Sequence, residues 1–343
     1  MNQNDKYITI LQKETMYDKT KFNKQLLEYP ILQSLYEQCK QYKTDIMENI
    51  VIDIQHDCDI TPTLIANKYL KNRFISDKIK QDCMSKSIQV DTYTFQYKTN
   101  SIIFYNCVFR TTTQNVTYKQ YIVMACYGFI IMEIYNKQHI TIPVYVVPSK
   151  YKKKFPINKA VTHNHINSGY TSFIGHTSEY CVLFRKEDIE NIFVHECIHF
   201  IGIDKPLFSK KNIHLLHDLF PVQSPILLNE AYSEILTIVY VSLCNALFLQ
   251  IDYKTILYNE WIYTLFQCNK LLHLYSIRTI SDFHKWVDKT NAFTYVFIKA
   301  ICFEHISLCL TRLFDYTHNT NKRFIQYIHS RYSHVAPYLY KHS

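Results

Sequence analysis

Apolar positions recur at helical spacing near the start of the chain, at Leu26, Leu27, Ile31, Leu32, Leu35, Tyr36 and Cys39, and again at Leu64, Ile65, Tyr69 and Leu70. Their surroundings are rich in Lys, Gln and Asp, so residues 1–88 read as a helical N-terminal region with a buried stripe. From residue 90 to 147 the pattern changes. β-Branched and aromatic residues dominate 91–97, 101–110 and 141–147, which predicts three strands. Between them, residues 118–135 are long enough for a buried helix packed on that sheet.

Residues 149–179 carry Pro156, Asn164, Asn167, Gly169 and Gly175, and read as loop with a short edge strand around 168–173. Residues 180–184 predict another strand. It leads into 186–202, where Ile189, Ile192, Phe193, Ile198 and Ile201 return to helical spacing and Gly202 is the stop. A connection through Pro221 and Pro225 follows, and from about Leu227 the chain is mostly helical, with breaks near Asp252, Ser281 and His318. The most apolar run, 235–251, is short for a membrane span and contains Ser242, Asn245 and Gln250, so it reads as a core helix. These elements predict an α+β fold. A small twisted sheet packs on helix 186–202 in a lobe of residues 89–226, which the N-terminal region 1–88 precedes and a helical lobe 227–343 follows.

The 343 residues are 48% hydrophobic, with only 4 Gly and 9 Pro, which excludes disordered and collagen-like chains. Eleven Cys, an odd number without a CxxC pair, argue against a disulfide framework or a Cys-based zinc knuckle. Charges throughout the first residues leave no apolar core for a signal peptide, so an intracellular, reducing, cytoplasmic setting is expected. The net charge of +9 is spread along the chain. Its densest cluster, Lys150 with Lys152, Lys153 and Lys154, has no RNA- or DNA-binding pattern beside it and reads as a solvated loop rather than a nucleic-acid site.

One motif carries chemistry. His195-Glu196-Cys197-Ile198-His199 is HExxH inside a segment already read as helix, and a chain of this composition yields the pattern by chance about 0.03 times. Residues four apart lie one helical turn above each other, so both imidazoles can face one metal ion while Glu196 projects toward a metal-bound water. Cys197 is rotated off that face and reads as core packing. A catalytic zinc takes three protein ligands, and Asn229-Glu230-Ala231-Tyr232-Ser233-Glu234 opens the next long apolar helix. Glu230 is the expected third ligand, with His214 and His217 as alternatives. Glu234, one turn on, can accept the N–H of a ligand histidine. A HExxHxxGxxH site is not available, because Lys205 occupies its last position.

HECIH on one helix and NEAYSE on the next resemble the gluzincins, zinc peptidases with HExxH and a downstream glutamate, and NEAYSE is similar to the NExxSD segment of thermolysin-like members. The resemblance covers residues 180–247 and implies a zincin-like fold. It also implies Zn2+ held by His195, His199 and Glu230, Glu196 as general base, and Glu234 in the place of a carboxylate that orients a ligand imidazole. The activity implied is hydrolysis of a peptide or protein substrate, by an endopeptidase rather than an aminopeptidase. A zincin-fold protein without turnover, acting in structure or interaction, is the alternative.

Overall fold

The computed structural model describes residues 19–28, 30–56, 72, 75, 77–84, 88–109, 116–149, 152–154, 156, 160–174, 177–205, 213–288, 290–314 and 324–332. The stripe at Leu64–Leu70, together with Lys150, Gly175 and His318, lies outside them. In chain order the elements begin with helices α1 (Lys19–Glu28) and α2 (Ile31–Asn49), strand β1 (Val51–Gln55), helix α3 (Asp77–Met84), and strands β2 (Ile88–Tyr97) and β3 (Asn100–Phe109). Helix α4 (Tyr118–Ile134), strand β4 (Thr141–Ser149), the single turn α5 (His163–Ile166), and strands β5 (Gly169–Ile174) and β6 (Thr177–Arg185) come next. Helices α6 (Ile189–Phe200), α7 (His214–Leu219), α8 (Leu228–Leu249) and α9 (Tyr253–Leu274) follow. A 3-10 helix (Ile280–Lys285), a π-helix (Phe293–Ile298), α10 (Lys299–Phe303) and α11 (Ile306–Phe314) lie beyond them.

The fold class is α+β with a mixed, open, six-stranded sheet in the order β1-β2-β3-β4-β6-β5. β1 and β3 each run antiparallel to β2 between them, β3, β4 and β6 run parallel, and β5 returns antiparallel to β6 at the edge. The near-continuous apolar run of β4 suits a central strand buried on both faces. On one face Phe104 meets Tyr121 of α4 at 4.9 Å and Phe193 of α6 at 5.4 Å between ring centroids. On the other, Val90, Cys107, Tyr145, Val147, Val182 and Phe184 pack with Ile75 and with Ile79 of α3.

Contacts divide the chain into two compact units that are discontinuous in sequence. One comprises Gln38–Phe155 and Thr162–Ile203 and contains the sheet with α3, α4, α5 and α6. The N-terminal region expected to be helical holds α1, α2 and α3 but also a strand, since β1 pairs with β2 from Val51↔Gln96 to Gln55↔Thr92. Its Val-Ile-Asp-Ile-Gln sequence has β-branched residues, but the strand is short and mostly exposed, so no run of buried positions marked it. α4 starts where expected because Thr117 and Gln120 form a reciprocal cap: Gln120 N–H donates to Thr117 Oγ1 (3.3 Å), and Thr117 N–H donates to Gln120 Oε1 (3.0 Å).

The other unit comprises Met1–Glu37, Pro156–Val161 and Asp204–Ser343. Its central helix is α8, long and apolar enough to cross a membrane by length and composition alone, but 72% of its most apolar window is buried within the protein. Phe22 of α1 stacks on Trp261 of α9 at 4.9 Å, and Phe220 sits edge-on to Phe283, Phe293 and Phe297. Asp252, an expected break, is the N-cap of α9, accepting from Lys254 N–H at 3.1 Å.

Candidate metal centre

The HExxH segment lies on α6, whose ends are fixed by backbone geometry. The chain enters from β6 through Asp188, in the left-handed region at φ 58°, and leaves through Gly202 at φ 71°. Gly202 N–H bonds the His199 carbonyl (3.1 Å), and Ile203 N–H bonds the Ile198 carbonyl (3.2 Å). Those two bonds are the Schellman pattern, which needs a residue that tolerates positive φ where Gly202 stands. Ile192, Phe193, Cys197 and Ile198 are buried. Burial pushes the Cys197 thiol up to about 12, so at neutral pH it is a packed apolar group and neither nucleophile nor thiolate ligand.

His195 is half-buried and His199 buried. Their Nε2 atoms are 3.0 Å apart and the rings cross at 79°. That spacing is close to the about 3.3 Å edge of a tetrahedral site with zinc–nitrogen bonds of 2.0–2.1 Å. One ligand atom each from His195, His199 and Glu230 lie within 4.8 Å of one another. Two imidazole nitrogens and a carboxylate oxygen are a donor set for divalent transition metals, and the group can hold a metal ion. Among the described residues it does not include His214, which is exposed, or His217; both lie on α7.

Glu230 stands in the first turn of α8, and three hydrogen bonds hold that turn. Leu227 N–H donates to Thr294 Oγ1 (3.2 Å), Glu230 N–H to the Leu227 carbonyl (3.0 Å), and Asn229 Nδ2 to Asp204 Oδ2 (3.3 Å). Asn229 and Asp204 are both buried, so their pairing ties the start of α8 to the chain just past Gly202. Neither Thr294 nor Asp204 was singled out by sequence reasoning, because each acts through a partner at least 25 residues away.

Glu196 is buried, and Thr171 of β5 reaches it twice, with Oγ1 2.8 Å from Glu196 Oε2 and 3.0 Å from the Glu196 carbonyl oxygen. Glu234 is half-buried, and Lys299 Nζ lies 2.8 Å from its Oε2. The Tyr275 hydroxyl donates to the Val287 carbonyl (3.0 Å) and accepts from Val161 N–H (3.1 Å).

No protein-family model matches this chain, and neither a curated protein nor a solved structure matches it significantly. What the site can do is therefore read from its residues.

Proposed function

We propose that the chain is a zinc-dependent metallopeptidase of the gluzincin type, an endopeptidase with a zincin-like fold, acting on peptide or protein substrates in a reducing intracellular compartment. The observation that carries this reading is the convergence of His195, His199 and Glu230 beside the buried carboxylate of Glu196. In it, His195 Nε2, His199 Nε2 and a Glu230 carboxylate oxygen hold the ion. Bound zinc supplies Lewis acidity, polarising a peptide carbonyl and bringing the pKa of a water toward neutrality.

Glu196 takes the proton of the attacking water as the carbon–oxygen bond forms. It then delivers that proton to the amide nitrogen as the carbon–nitrogen bond breaks, so one carboxylate serves as base and acid in turn. Its burial keeps bulk water from competing for the proton. Glu234, one turn along α8 from Glu230 and held at Oε2 by Lys299, is the carboxylate to which this reading gives the N–H of a ligand imidazole, fixing its tautomer.

The test is metal analysis of the purified protein together with cleavage of a peptide library, run beside Glu196→Gln. The expected result is about one zinc per chain in both proteins and cleavage by the wild type alone. Zinc without cleavage by either protein would identify a catalytically silent zincin-fold protein, and absence of metal would remove the reading.

A further inference from the structure

The chain holds Glu196 from β5, at the edge of the sheet. Thr171 Oγ1 is within hydrogen-bond distance of both the carboxylate Oε2 (2.8 Å) and the backbone carbonyl (3.0 Å) of that single residue. A threonine hydroxyl has one proton, so it donates to one of these oxygens while staying in reach of the other. Seven positions further along the β5–β6 hairpin, Ser178 Oγ donates to the Phe200 carbonyl at 2.8 Å, one helical turn from Glu196. The hairpin thus carries two hydroxyls that meet α6 at successive turns.

The approach that makes this possible depends on Gly169. Positions 169 and 171 lie on the same face of β5, the face turned toward α6. A Cβ at Gly169 would stand 2.6 Å from Ile192 Cγ2, 3.0 Å from the Val182 carbonyl oxygen and 3.2 Å from Glu196 Cγ. Only a residue without a side chain lets the strand come this near the helix, and Thr171 uses the proximity. Strand pairing does not require the hydroxyl: Thr171 is registered with Cys181, whose Sγ lies 3.6 Å from Oγ1, a weaker contact than the 2.8 Å approach to Glu196, and valine would keep the same shape.

We propose that Thr171 is a positioning residue for Glu196, an inference that rests on the hydrolytic reading above. Its hydroxyl fixes the rotamer of the carboxylate by a charge-assisted bond to Oε2, and keeps that oxygen in place while Glu196 accepts a proton and returns it. Gly169 sets the distance at which the bond forms.

The experiment compares Thr171→Val and Thr171→Ser in the full, zinc-loaded chain. Thr171→Val is expected to lower kcat about 10- to 100-fold, the scale of a mispositioned catalytic group, with KM changed less than about twofold. Zinc content should stay at the wild-type value, and Tm should fall by only a few degrees, the scale of one lost buried hydrogen bond. Thr171→Ser restores the hydroxyl and should hold kcat within about threefold of wild type. A second readout does not depend on turnover: the infrared carboxylate band lost in Glu196→Gln should shift in Thr171→Val and return in Thr171→Ser. Wild-type turnover by Thr171→Val with an unshifted band overturns the proposal, and so does a raised KM at constant kcat, which would make Thr171 a substrate contact. If the wild type cleaves nothing and equals Glu196→Gln, the hydrolytic reading falls, and the band shift still decides the Thr171 bond.

Discussion

Lys299 and Glu234 are joined by a 2.8 Å ion pair between Nζ and Oε2, with side chains only 16% and 25% exposed, although 65 residues separate them in the chain. The pair gives Glu234 a partner that helix periodicity alone does not indicate. Lys299→Met should lower stability by about 1–2 kcal/mol, between the values for exposed and fully buried pairs. Glu234→Gln should weaken zinc affinity or turnover by roughly 10- to 100-fold if the carboxylate also orients a ligand imidazole. Zinc titration against a competing chelator, followed by urea unfolding of both variants, separates the two roles. Wild-type zinc affinity and turnover in Glu234→Gln would leave the ion pair as the only role of Glu234.

His195→Ala and Glu230→Ala should each drop bound zinc well below one per chain after desalting, since each removes one of three protein ligands. Glu196→Gln should retain zinc and lose hydrolysis, because Glu196 handles protons and does not ligate. His214→Ala and His217→Ala are the matching controls, with unchanged zinc expected. Metal analysis of all five proteins decides which residues ligate.

Two glycines should fail in different ways when replaced by alanine. Gly202→Ala places a Cβ at φ 71° and should cost about 1–2 kcal/mol without changing the chemistry of the site. Gly169→Ala forces Ile192 and Glu196 aside against the fixed Val182 carbonyl, with an expected cost of about 1–3 kcal/mol. Thermal unfolding should register both, and turnover should fall disproportionately only in Gly169→Ala.

Buried thiols give the protein an alkaline limit. Burial pushes Cys126 and Cys197 up from 9.0 to about 12, and Cys181 well above its usual value. Between those limits the folded chain keeps protons that the unfolded chain releases, so stability is complete below about pH 9 and falls as pH rises beyond it. The slope is at most about 1.4 kcal/mol per pH unit for each such thiol. Urea midpoints measured from pH 8 to 10.5 should decline accordingly, and a thiol reagent at pH 8 should leave buried cysteines such as Cys126, Cys181 and Cys197 unmodified until the protein unfolds.

Each element's legibility in the sequence depends on how that element is stabilised. α4, α6 and α8 bury long apolar faces, and β2, β3, β4 and β6 bury β-branched or aromatic runs, so periodicity and composition identified them. The strand β1 has little burial to leave a trace. The three candidate ligands were legible because helix spacing and a short polar segment place them. Thr171, Gly169, Asp204 and Lys299 were not, because their significance lies in distances across strands and helices. A threonine in a strand is ordinary for its β-branching, and only the 2.8 Å approach to Glu196 gives its hydroxyl a task.

The π-helix Phe293–Ile298 gives one region a tolerance that ordinary helices lack. A stretch closed from residue i to i+5 accommodates one residue more than the α-helix it interrupts, in which each residue sweeps about 100° around the axis. Loss of a single codon within this stretch would let it relax to α-helical pitch and so leave Lys299 near its present angle to Glu234, where the same loss in an ordinary helix would swing it by about 100°. Loss of Thr294 itself would be the exception, since its hydroxyl holds Leu227 at the threshold of α8. A one-residue deletion elsewhere in the stretch would spare the angular phase of the chain from Lys299 onward, and with it the footing of Glu230.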